Sequence, residues 1–218
     1  MSDSEERTRS WKEIAMDLLG ETQRGRFREL AEELDDVLAA QQLGNKGRNQ
    51  LAENNPFLLQ RASPSIGYEK VVDVASALMR SDYASMQMLF PERGTNGELR
   101  LLAFRGFNPQ AARFWEWVRA DSKSTCGIAL RDSQRVVAPD IVTCDFMANS
   151  EDQDVYLKTG IRACQTTPLI ARTGNVVGMI STHWRTPHQP SEKDFRLFDI
   201  LARQAADLIE RSRREDAL

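Results

Sequence analysis

At 218 residues, with 41% hydrophobic and 28% charged residues, the chain is long enough for one well-buried core or a core with a helical extension, which leaves two full domains disfavoured. A net charge of −3 without a clustered excess of Lys and Arg argues against nucleic acid as a partner, and no apolar run approaches the roughly 20 residues that span a bilayer, so no membrane is expected either. The start, MSDSEERTRS, lacks the basic flank and apolar stretch of a secretory signal, and Cys126, Cys144 and Cys164 form no CxxC pair, which together predict a cytoplasmic protein with reduced thiols.

In chain order, Ser10 to about Leu43 reads as helix. Phe27, Leu30, Leu34 and Val37 alternate steps of three and four, and Trp11, Ile14 and Leu18 begin a similar stripe. Gly20 and Gly25 interrupt the pattern, predicting two segments or one bent helix that ends at Leu43–Gly44. Residues 1–44 thus form an N-terminal helical extension and 45–65, with NNP and SPS, a linker. An amphipathic stripe needs a partner, and the expectation is the same helix of a second subunit, a homodimer; packing on the chain's own domain is the alternative.

The main domain is expected over 66–214. Tyr68 to Met79 carries Val71, Val72, Ala75 and Leu78 on one helical face, and YASMQMLF then switches to strand-like alternation. ELRLLAFRGF follows the turn PERGTNGE as the second arm of a hairpin. Next come a helix from about Pro109 to Arg119, a short strand near Arg135 to Ala138, and a helix from about Asp152 to Thr159. Strands Ala163 to Ala171 and Asn175 to His183 are joined by RTGN. The last helix runs from Ser191, with Asp194 completing the cap, to about Arg214. Consecutive hairpins with helices packed on them predict an α+β fold built on an antiparallel sheet.

Three runs carry a family likeness. SALMRSDYASMQMLFPERGTNGELRLLAFRGF resembles the opening of GAF domains in bacterial sensor histidine kinases; VVAPDI resembles their central strand and the Asp-containing loop after it; TGIRACQTTPLIARTGNVVGMISTHWRTPHQPSEKDFRLFDILARQAADLIER resembles their last hairpin and closing helix. YLKTGIRA and GMISTHWRTP are also similar to the bilin-binding GAF domain of phytochromes. The resemblance implies about six antiparallel strands, helices on one face and a small-molecule pocket on the other, in a sensor of the two-component type that acts on a partner protein. It names no cofactor and no reaction, and function has to be argued from the site.

His183 is the first candidate: it ends an apolar strand, and the phytochrome likeness puts it at a pocket histidine. The pocket is expected between the sheet and the loops around Asp140 and Tyr156, with Met86, Met88, Ile180, Thr182 and His183 as contributors. Residues two apart on a strand share a face, so His183 points opposite to Thr182, and only one set can meet a ligand; the His183 side is favoured as a directional polar group in an apolar cavity. His183 and His188, without carboxylates or thiols at metal spacing, make a poor zinc site. Cys126, in TCG, resembles a position of the GAF-type methionine sulfoxide reductases, where a thiolate attacks the sulfoxide and a second cysteine resolves it. Cys164 lies only four residues before Pro168 and the pattern expected around a resolving cysteine is missing after Cys144, so a redox enzyme is the alternative, beside a structural dimerisation module without ligand. The position of covalent bilin attachment in related photoreceptors is Asp152, followed by Gln153, which excludes covalent pigment there. Non-covalent tetrapyrrole stays open, and FRLFDI, ending in Ile200, departs from the cyclic-nucleotide pattern. With no P-loop, HExxH, GxSxG or kinase ATP domain in the sequence, no enzyme is expected.

Overall fold

The alternation of YASMQMLF and ELRLLAFR produces two paired strands in the computed structural model, which describes residues 10–19, 21–42 and 64–216. Strand β1 (Tyr83–Phe90) pairs antiparallel with β2 (Glu98–Arg105), and β2 with the edge strand β3 (Trp117–Arg119). On its other side β1 pairs with β6 (Val176–Trp184), which pairs with β5 (Ala163–Ile170) and through it with β4 (Val136–Ala138). The sheet has six strands in the order β3-β2-β1-β6-β5-β4, so the two predicted hairpins are joined side by side through β1 and β6, as an α+β fold requires.

Helices α1 (Trp11–Leu18), α2 (Glu21–Gln42), α3 (Pro64–Met79) and α7 (Glu192–Asp216) stack on one face. The cap read in the sequence is present: the Asp194 amide donates to Ser191 Oγ at 3.2 Å and the Ser191 amide to Asp194 Oδ2 at 2.9 Å. α3 and α7 lie directly on the sheet, where Val72, Leu78, Phe198, Leu201 and Ala205 pack with Ala84, Met86 and Ile180. The extension does break into two helices near Leu19, whereas Gly25 sits inside α2. Gly44, and the 45–65 linker apart from Pro64 and Ser65, which begin α3, lie outside the described residues.

The α2 stripe does not wait for a second subunit. Phe27 is 1% and Leu34 0% exposed, both in one cluster with Val71, Val74 and Ala75 of α3. The physical reason is in α3 itself: Val71, Val72, Val74, Ala75, Leu78 and Met79 are all buried, so this helix is apolar on more than one side and packs the sheet with one and α2 with another. Trp11 closes the end of the stack edge-on to Phe27, ring centroids 5.9 Å apart. No helix among the described residues is long and apolar enough to cross a membrane.

The opposite face carries α4 (Pro109–Phe114), α5 (Thr125–Asp132), two 3-10 turns over 141–147 and α6 (Glu151–Thr159). Here the helix expected from Pro109 to about Arg119 stops at Phe114. Leu99 and Arg100 of β2 need partners on their free edge and take Val118 and Trp117 as a third strand; Val118 is buried, and Trp117 lies outside under Arg93, whose guanidinium carbon is 3.9 Å from the ring centre. Helix α5, which no sequence signal above anticipated, starts at Ser124, whose Oγ accepts from the Gly127 amide at 3.1 Å.

Candidate functional site

Pleat parity, fixed by register, decides which side chains share a face. His183 sits between Tyr83 of β1 and Cys164 of β5, and this face, with Ser181, Met179 and Thr166, looks toward α5 and α6. Ile180 and Met86 belong to the helix-side cluster with α3 and α7, and Met88 packs against it. Thr182 also faces that side, accepting from Gln165 Nε2 at 3.0 Å, while Gln165 in turn accepts from Thr167. Met86, Met88, Ile180 and Thr182, expected in the pocket, are therefore separated from His183 by the thickness of the sheet. Asp140 is committed elsewhere: its carboxylate accepts from the Val142 amide at 3.1 Å and bridges Arg162 at 3.0 Å, anchoring the loop after β4. Of that set, Tyr156 alone is brought to His183, ring centroids 5.9 Å apart.

The residues that join them are aromatic. After β2, Gly106 turns the chain with φ +83, and Phe107 comes to rest 5.4 Å from the His183 ring. Trp115, just past α4, lies 5.2 Å from Phe107 and 4.6 Å from Tyr156. Gly106 is required there, because a Cβ would sit 2.8 Å from the Asp82 carbonyl oxygen. Phe107 and Trp115 were not read from the sequence, although the aromatic density of FNPQAARFWEW was a signal for them.

Polar satisfaction differs sharply across this face. Thr125 Oγ1 is 2.8 Å from Thr166 Oγ1 and 3.0 Å from Cys164 Sγ; Thr166 and Ser181 hydroxyls are 2.7 Å apart; Cys126 Sγ is 3.3 Å from Ser181 Oγ. That network is closed. His183, 2% exposed, has no hydrogen-bond partner among the described residues for either Nδ1 or Nε2. Buried polar atoms of native proteins are normally paired, so this corner is polar capacity held open. Burial lowers the His183 pKa to about 3 from an ordinary 6.5, leaving a neutral ring with one donor and one acceptor.

The thiols behave differently from a nucleophile. Burial pushes the Cys126 and Cys164 thiols up, outweighing their hydroxyl contacts, and burial raises Cys144 as well. An attacking thiol needs thiolate character and access; Cys126 has neither. Among the described residues no group of three or more His, Cys, Asp or Glu could hold a metal ion.

A sequence model of the GAF domain matches residues 63–210. Among solved structures, a domain of a putative two-component sensor histidine kinase protein from Sinorhizobium meliloti 1021 is 25% identical, with a TM-score of 0.55 over 69% of this chain and 92% of that one. The GAF domain of an Acinetobacter phosphoenolpyruvate-protein phosphotransferase is 14% identical, with a TM-score of 0.62 over 92% of this chain and 100% of its own. Free methionine-R-sulfoxide reductase from Neisseria meningitidis is 19% identical, TM-score 0.54, over 70% and 81% respectively. The last two likenesses show the fold alone. Among curated proteins nothing matches the chain.

Proposed function

Because the chain belongs to the GAF domain family, a family of regulatory and sensory modules, we propose that it is a cytoplasmic sensor whose sheet face around His183 receives a small molecule. The observation that carries this reading is the pair of imidazole nitrogens, without a partner among the described residues, in a wall of aromatic rings, a directional polar group in an otherwise apolar site. His183 and Thr182 are adjacent on β6 and face opposite sides, and α7 packs on β6 from behind. In this reading a ligand that moves β6 reaches α7, and α7 presents the change to a partner protein.

Turnover by thiol chemistry is not part of the proposal, since Cys126 is buried and held protonated. Nor is a second copy seated on the α2 stripe, which α3 already covers. The test is thermal melting against a panel of small molecules. A compound that raises the melting temperature of the wild type and leaves that of a well-folded His183→Ala unchanged supports the site; equal shifts in both place binding elsewhere.

A further inference from the structure

The wall around His183 also restricts the kind of molecule it takes, an inference that rests on the reading just given. Beside the ring lie Tyr83 and Cys164 as strand neighbours, and the rings of Phe107 and Tyr156. None is charged: the Tyr83 hydroxyl donates to the Thr159 carbonyl at 3.0 Å, and burial holds Tyr156 and Cys164 protonated. The nearby ions are engaged elsewhere. Arg185 lies over Tyr83 and bridges exposed Asp82 at 3.8 Å, and Asp152 accepts from Ser122 Oγ at 3.0 Å and the Lys123 amide at 3.1 Å. A charged ligand would lose its hydration here without a counter-ion, which is strongly unfavourable.

What the site does offer is one imidazole donor and one imidazole acceptor among flat rings, and 5.2 Å from Phe107 lies the Trp115 ring, whose Nε1 donor has no partner among the described residues. Of those rings Tyr83, Trp115 and Tyr156 are buried, while Phe107 is half-buried and stacks on Phe104, which is 36% exposed. Phe107, which meets both the buried His183 ring and exposed Phe104, is the least buried of the four rings and sits on a turn that only Gly106 allows. We propose that the site takes an uncharged, flat ring compound bearing a hydrogen-bond donor next to an acceptor, of the aryl amide kind, which displaces the Phe107 ring from His183.

The probes that test this are benzamide, benzoate and benzamidine, nearly identical in shape and differing in charge. Each is added to the full chain labelled with nitrogen-15 in its two histidines, the His188 signals being identified with His188→Gln. Benzamide is expected to shift the His183 ring nitrogens, and the two ions are not. In calorimetric titration with benzamide, His183→Phe or, should that variant fold poorly, Trp115→Phe is expected to weaken binding about tenfold, the loss of a net hydrogen bond. Phe107→Ala is expected to tighten it several-fold by removing the competing ring. Perturbation by benzoate or benzamidine as strong as by benzamide overturns the ligand class while leaving a small-molecule site. Silence of all three in wild type and in Phe107→Ala overturns the ligand class, the site itself being tested separately by the melting panel, and weaker benzamide binding in Phe107→Ala overturns the displacement.

Discussion

Replacing His183 by Phe should change how stability depends on pH. The folded chain holds this imidazole neutral down to about pH 3, because burial penalises the cation, whereas the unfolded chain protonates it near 6.5. The stability that comes with this lowered pKa is fully present above 6.5 and is lost as pH falls from there toward 3, since only the unfolded chain takes up the proton. Between about pH 7.5 and about pH 5 the loss amounts to about 2 kcal/mol. His188, whose pKa is also lowered by burial and whose ring lies 4.3 Å from Trp184, is present in both proteins. The difference between wild type and His183→Phe therefore isolates His183. Urea unfolding at the two pH values measures it: the wild type should lose about 2 kcal/mol more than the variant. Equal losses would show that His183 is solvated or protonated in the folded chain, and the neutral donor–acceptor reading would fail.

Leu34→Glu, which puts a charge between α2 and α3, should lower unfolding free energy by about 3 kcal/mol or more; retained stability with a halved mass in light scattering would instead restore the two-subunit seam. Cys144, half-buried, should react with a thiol reagent well before Cys126 and Cys164, which should react only on unfolding. Consistent with that, neither wild type nor Cys126→Ser should turn over free or peptide-bound methionine sulfoxide, and turnover lost in the variant would establish a reductase. Gly106→Ala should destabilise by about 2 kcal/mol, because alanine is strained at positive φ and its Cβ meets the Asp82 carbonyl; an unchanged denaturation midpoint would mean that the turn relaxes freely.

The hairpins were legible because period-two alternation and turn residues are local: β1 starts and ends at the expected residues, and β5 and β6 fall within one residue of expectation. Local signals failed where a tertiary partner decides. Pro109 and the residues after it read as helix until β2 claims Trp117–Arg119 as an edge strand. The α2 stripe implied a partner correctly, but its identity depended on α3 being apolar on several sides. In the site, His183 was singled out as a polar strand end and by the phytochrome likeness and Tyr156 as part of a nearby loop, and the parity of β6 already set His183 against Thr182. Extending parity to β1 needed the register Tyr83↔His183 and Met86↔Ile180, which places Met86 under the helices and which no sequence spacing supplies. Phe107 and Trp115 come from segments far from β6 in sequence, so their meeting with His183 is a product of the fold.

The most direct test of a small-molecule site at His183 is native mass spectrometry of the chain purified without unfolding, with an absorption spectrum of the same sample, beside His183→Phe prepared identically. The account predicts a species heavier than the polypeptide by one small molecule in the wild type, and its loss from a variant that remains folded. An adduct retained in full by folded His183→Phe would contradict it.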